Sequence, residues 1–284
     1  MYSFPIGVML DSFRLPDREA IEAAAKTEAK GVQMYCTRGE HAPENMTGEK
    51  RRELLSMMGA NGLVFSAICG DLGRGFGHAE LNPGLIEKSK RIMELAKELG
   101  SDVVTTHIGV VPNDPGHERY KIMQDACREL AEFADSMGSH FALETGPEPS
   151  EVLKGFLDSL GSRGVSVNLD PANLVMVVGD DPVAAVHNLK DYIVHTHAKD
   201  GVMLIRTNPE FIYGVTPMPE DIKGAKCYRE VPLGEGDVHF PSYLAALDEI
   251  GYRGFLTIER EAGNDPQKDI TLAADFLRRV ISEN

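Results

Sequence analysis

Four side chains able to hold a divalent cation stand at the ends of four short apolar runs. Glu144 closes Phe141-Ala142-Leu143, Asp170 closes the run VSVNL at 165–169, His197 closes the run from Tyr192, and Glu259 closes Phe255-Leu256-Thr257-Ile258. Three carboxylates and one imidazole suit Mn²⁺, Mg²⁺ or Co²⁺ better than a structural zinc, which prefers sulfur and nitrogen. Taken singly, each of the four is more often a helix cap or a loop hydrogen-bonder; Asp170, ahead of Pro171, also reads as an N-cap. The spacing favours the metal. Asp170 follows Glu144 by 26 residues and His197 follows Asp170 by 27, close to one strand–helix repeat each. Glu259 comes 62 residues later, one repeat plus an insertion. Ligands at that spacing come from four adjacent strand ends and land on one ring.

The elements that must carry them read as strand and helix in strict alternation. Residues 4–10, 32–35, 63–68, 103–107, 140–144, 165–169, 192–197 and 254–258 are apolar, β-branched runs. Residues 17–30, 47–61, 82–99, 116–138, 150–160, 181–189, 240–250 and 266–281 have helical composition, with Thr47 and Asn82 as N-caps and Pro83 at a first helical position. Parallel strands buried on both faces read as near-continuous apolar runs, and barrels of such strands set their chemistry at the strands' C-terminal ends. The expectation is an α/β fold, a single (β/α)₈ TIM barrel over residues 1–284 with right-handed crossovers. Between 201 and 236 the alternation breaks into a Pro- and Gly-containing stretch, a long loop after the seventh strand and a candidate lid. The run GRGFG at 73–77 lacks the Lys-Ser/Thr of a phosphate-binding loop, so it reads as a loop over the third strand with Phe76 covering substrate.

Composition narrows the function. Lys and Arg number 29 against 44 Asp and Glu, a net charge of −15 without long single-sign blocks. That balance argues against binding nucleic acid through its phosphates and against an anionic membrane surface. Cys36, Cys69, Cys127 and Cys227 show no metal-ribbon spacing and are expected as reduced thiols. No signal peptide is apparent and no run approaches the roughly 18 apolar residues of a membrane span, so the expected setting is cytoplasmic.

GVQMY at 31–35, HIG from His107, LETG at 143–146, NLDPANL at 168–174, HTHAKDG at 195–201, the Gly234-Glu235-Gly236 turn and LTIERE at 256–261 together resemble the xylose isomerase-like barrel superfamily. The similarity is to its sugar phosphate isomerase/epimerase branch and covers essentially the whole chain. It implies that Glu144, Asp170, His197 and Glu259 bind one divalent ion, commonly manganese, with Mg²⁺, Co²⁺ or Zn²⁺ as alternatives. It also implies that Glu144 and Glu259 serve as the acid/base pair. Where the family often carries Asp-x-x-His after the sixth strand, this chain has Asn173 in the last position, a departure at a substrate contact or an additional ligand. HTHAKDG is similar to the inosose dehydratases as well, which keeps a second reaction open.

Four protein ligands leave about two positions on an octahedral ion for a carbonyl and the adjacent hydroxyl of a sugar. One glutamate then takes the proton next to the carbonyl and the other returns it to the resulting enediolate. The expected activity is therefore a sugar isomerase or epimerase; loss of a β-hydroxyl would make it a dehydratase of a keto-sugar or keto-inositol. His107, Asn173, His195 and Lys199 are the candidate substrate contacts. His107 is read equally as a buried structural histidine, His195 as a group orienting a ligand or filling the barrel, and Lys199 as an ion-pair partner. Tyr35, Cys69 and Asp71, at the ends of the second and third strands, are read as pocket lining or packing, with packing preferred; Glu261 points the way Glu259 does if the strand persists and is solvated beyond it. The expected partners are a small carbohydrate and further copies of the chain, as a homodimer or homotetramer. An abasic-site endonuclease of the same superfamily would need extra histidines and a basic face, which this acidic chain lacks.

Overall fold

All eight runs read as strands do form strands, and their neighbours close them into a ring. They are β1 Ile6–Met9, β2 Gly31–Tyr35, β3 Val64–Cys69, β4 Val103–Thr106, β5 His140–Glu144, β6 Val165–Leu169, β7 Ile193–Ala198 and, after two strands of the insertion, β10 Leu256–Ile258. In the computed structural model, which describes residues 2–283, every pairing in this ring is parallel and β10 closes against β1. This is a (β/α)₈ TIM barrel.

Eight helices follow the barrel strands, α1 Asp17–Lys26, α2 Gly48–Ala60, α3 Asn82–Glu98, α4 Glu118–Ser136, α5 Ser150–Leu160, α7 Pro182–Asn188, α9 Phe240–Glu249 and α10 Pro266–Glu283, while the short α6 Pro171–Asn173 follows β6 directly and α8 Pro209–Ile212 belongs to the insertion. The long helices bury an apolar stripe; on α5 it is Leu153, Phe156, Leu157 and Leu160. Each such side chain contributes about 1.5–3 kcal/mol relative to exposure. Among the described residues no helix is long and apolar enough to cross a membrane.

Local signals held at some helix ends and failed at others. Thr47 does cap α2, its hydroxyl accepting from the Lys50 N–H at 3.3 Å. Asn82 does not cap α3: it is buried inside the helix start and its amide donates to the Phe76 carbonyl at 3.1 Å. The first helix stops at Lys26, short of 30, because Thr27 turns its hydroxyl back on the Ala24 carbonyl and Glu28 takes a left-handed conformation at φ 61. Phe76 does not cover a substrate either. It is buried, edge-on to Phe141 with ring centres 6.1 Å apart.

The 201–236 stretch, expected as a long loop, has structure of its own. β8 Asp200–Met203 and β9 Tyr228–Val231 form an antiparallel ribbon, with α8 in the segment between them. Both ends are fastened to the barrel. The Asp200 carboxylate accepts the backbone N–H groups of Gly201, Gly234, Gly236 and Val238 at 2.8–3.1 Å. A Cβ at Gly236 would stand 2.2 Å from that carboxylate, so only glycine fits there. Glu230 on β9 accepts from the Arg260 guanidinium and from the N–H groups of Glu261 and Ala262, directly after β10. Arg119 on α4 pairs with Glu210 of α8. Four-residue strands such as YREV carry too little alternation to stand out in a sequence.

Candidate metal centre

Below the barrel mouth the interior is polar and fully paired. Gln33 of β2 donates to Thr105 of β4 at 2.8 Å, and His195 of β7 lies between Asn168 of β6 and Thr257 of β10, 2.9 Å from each. Burial and the neighbouring His197 push the His195 imidazole down to about 3, so it is neutral. This layer is the platform on which the site rests.

Glu144 ends β5, Asp170 and Glu259 directly follow β6 and β10, and His197 is the penultimate residue of β7. Each offers one donor atom, and the four atoms lie within 4.8 Å of one another, all on buried residues. Around an ion with donors about 2.1 Å away, neighbouring donors would be about 3 Å apart and opposite ones about 4.3 Å, close to the observed spread. His197 Nδ1 faces Asp170, Glu259 and Glu144 at 3.3, 3.4 and 3.6 Å. Its Nε2 lies 3.0 Å from the Gln33 side-chain oxygen, which is fixed by the Gln33–Thr105 bond. The Asn168 amide nitrogen also lies 3.2 Å from Nε2; a proton on Nε2 directed at Gln33, the shorter of the two contacts, leaves the Nδ1 lone pair facing the carboxylates, as a metal-binding histidine requires. The residues present fit a divalent ion.

Electrostatics point the same way. Burial pushes the Glu144 carboxyl up, but His107 and His197 outweigh that and hold it below the usual range. Burial acts likewise on Glu259, and Lys199 with His197 holds it well below. Burial alone would discharge His197, yet Glu259, Glu144 and Asp170 drive it well above its ordinary value. Three buried carboxylates demand positive charge, and with only side chains present a proton on His197 and the Lys199 ammonium answer that demand.

The surrounding groups fix the donors in place. Asp170 is cap and candidate ligand at once: Oδ1 accepts the Asn173 N–H at 2.9 Å while Oδ2 faces His197. The Asn173 and Asn168 amides donate to the two oxygens of Glu144 at 3.1 and 3.2 Å. Gly146, at φ 140, lets Asn173 in, since a Cβ there would come within 2.5 Å of the Asn173 side chain. Lys199 donates to Glu259 at 2.8 Å and also bonds Glu261. His107 Nε2 is 3.4 Å from Glu144.

Above the donors is a cavity of about 170 Å³, lined in part by His107, Glu144, Asn173, Lys199, Tyr213 and Glu259. His107, Asn173 and Lys199 thus reach the place where a substrate would sit. His195 does not. Both its nitrogens are taken by Asn168 and Thr257 one layer below, so the substrate contact expected of it gives way to positioning Asn168. Tyr35 and Cys69 line the cavity, the alternative to packing that their strand-end positions offered, and so does Glu261, for which solvent was preferred. The sequence reading passed over Gln33 and Asn168, polar residues inside otherwise apolar strands; that break in pattern was the available signal. Tyr213, supplied by the insertion, had none.

The fold and this site define a class: a TIM barrel with a candidate divalent-metal centre at the C-terminal mouth of its strands. More narrowly, the chain belongs to the family described as xylose isomerase-like TIM barrels, which matches residues 21–280. It is 30% identical over 153 residues to the rhizopine catabolism protein MocC of Rhizobium meliloti, covering 53% of this chain and 44% of that one. The matched stretch is thus less than half the length of that relative. Among solved structures it resembles a probable 3-DHS dehydratase, AsbF, involved in petrobactin synthesis from Bacillus anthracis (TM-score 0.74, 18% identity, 97% and 99% of the two chains). It resembles a D-tagatose 3-epimerase-like protein to the same degree (TM-score 0.73, 19% identity, 99% of both chains). Similarity at that level of identity concerns the fold.

Proposed function

We propose that this protein is a divalent-metal-dependent isomerase or epimerase of a small sugar or sugar derivative, acting by proton abstraction next to a carbonyl. One observation carries the reading: Glu144 and Glu259, both held ionised, close on one small cavity from the two ends of the four-strand arc β5–β6–β7–β10. Glu144, Asp170, His197 and Glu259 would hold the ion, which would polarise the substrate carbonyl and stabilise negative charge developing on its oxygen. Mn²⁺ is the ion we assign.

The side chains do the rest. One glutamate removes the proton on carbon; the other, which takes up a proton from water before the step, returns it to the opposite face of that carbon or to a neighbouring atom, and exchange with water resets both carboxylates. His107, in contact with Glu144, bonds a substrate hydroxyl, and Lys199 keeps Glu259 ionised between turnovers. Tyr213 and Ile212 of the insertion close over the cavity and limit water. A positioned base supplies about 10²–10⁴-fold, or ~3–5 kcal/mol, so charge stabilisation and alignment must supply most of the acceleration. We place the enzyme in the cytoplasm, as a homodimer or homotetramer, which light scattering would check.

The test is metal content together with deuterium uptake from heavy water into ketoses and keto-inositols. The expected result is about one divalent ion per chain and an exchange that a chelator abolishes and Mn²⁺ restores. Protein free of such ions, indifferent to their addition and inert toward every ketose would overturn the proposal. A dehydratase is the second reading, favoured by the Lys199 ammonium in the cavity, placed to hydrogen-bond a departing hydroxyl, and by the likeness to AsbF. Product mass separates the two, since only dehydration loses water.

A further inference from the structure

Beside the metal cavity lies a larger hollow of about 640 Å³, and His107 and Tyr213 line both. Its floor is built by the loop after β3 and the segment after β4. The glycines there do not make a backbone phosphate cradle. The Phe76 N–H is taken by the Ile108 carbonyl at 2.9 Å, and the Gly73 N–H by Asp71 at 2.8 Å. The charged and imidazole side chains on its lining are Asp71, Arg74, His78, His107 and Arg119. Arg74 is exposed on its rim and has no partner among the described residues. Arg119 holds Glu210 with one terminal nitrogen while its buried Nε has no acceptor, and the buried Nδ1 of His107 is likewise unpaired. Buried polar atoms without partners are uncommon in folded proteins, and these two border the same hollow. Asp71 is the opposing charge on the lining, with one oxygen on Gly73.

We propose that this hollow receives the far end of the substrate, and that this end carries an anionic group, a carboxylate or a phosphate, paired by Arg74. The inference rests on the proposed function: the reacting carbons sit over the donors, and the remaining chain passes between His107 and Tyr213 into the hollow. A guanidinium on the rim without a partner among the described residues, beside a second guanidinium on the lining, calls for an acceptor-rich, negatively charged ligand.

The experiment uses the Mn²⁺-loaded protein with three ketohexoses: a neutral one, its terminal phosphate and its terminal carboxylate. Deuterium uptake gives kcat/KM, and calorimetry gives Kd for the matching unreactive hexitol, hexitol phosphate and hexonate. One anionic form should be favoured over the neutral one about tenfold in both measurements. Arg74→Ala should cut that ratio to near one, and Arg74→Lys should keep part of it. Whichever anion is favoured identifies the group. Equal or better handling of the neutral sugar by the native protein overturns the inference while exchange itself leaves the proposed function standing. A preference that survives Arg74→Ala also overturns it, because the charge is then read elsewhere. No exchange with any ketose and no binding of any hexitol sinks the proposed function and this subsite with it.

Discussion

A single proton on His197 determines whether the four donors can act together. A proton on Nε2 bonds the Gln33 oxygen, so Gln33→Leu should leave the barrel folded but lower Mn²⁺ affinity by about 10–100-fold, read by competition with a chelator. Unchanged affinity would mean that Gln33 only fills space. Glu144→Gln and Glu259→Gln should each reduce deuterium exchange by at least about 10²-fold. In Glu259→Gln the buried Lys199 keeps, among the described residues, only the exposed Glu261 as a directly paired carboxylate, so that variant should also lose stability, by about 3–5 kcal/mol in urea unfolding. Glu148 gives a pH dependence with a definite sign. It is buried, accepts the Val111 N–H at 3.1 Å, and burial pushes its carboxyl from 4.5 up to about 8. Between those values the folded chain holds a proton that the unfolded chain has released. Its contribution is therefore fully present below about pH 4.5 and is lost as pH rises toward 8. Native protein should lose urea resistance across that window more steeply than Glu148→Gln, and equal slopes would refute the assignment.

At the scale of elements, the insertion is a strut as much as a lid. Its base is held by Asp200, its ribbon by Glu230 and its tip by Arg119. Asp200→Ala strips the acceptor from four backbone N–H groups. We expect a loss of about 2–4 kcal/mol and faster proteolysis between 204 and 227, read by mass spectrometry of the fragments. Because Glu230 also holds the backbone directly after Glu259, the insertion and the metal centre should loosen together. This coupling was hidden in the sequence. Asp200 is 36 residues from Gly236, and Glu230 is 31 from Glu261. Neither spacing carries a period, and the partners meet only once the ribbon has folded back.

For the whole molecule, an ion bound only by the folded chain adds stability by mass action. At a free concentration of about 100 times Kd that is about 2.7 kcal/mol, or roughly 4–5 °C in Tm at this size. Thermal unfolding with Mn²⁺ and with a chelator should differ by that much; coincident curves would argue against a resident ion. The excess of acidic residues should likewise leave the protein without measurable affinity for duplex DNA at physiological salt, read by fluorescence anisotropy.

The alternation of apolar runs with amphipathic helices was sufficient, by itself, to determine the barrel and the four residues at its strand ends. Both follow from short-range periodicity, and the parallel ring turns repeat spacing into proximity. What surrounds those four residues was decided only by the tertiary structure. Gln33 and Thr105 meet across the interior, His195 turns beneath the site, and Tyr213 arrives from an insertion with no pattern of its own. Contacts across a closed ring or from a folded-back ribbon depend on where distant segments come to rest, and residue spacing along the chain does not encode that.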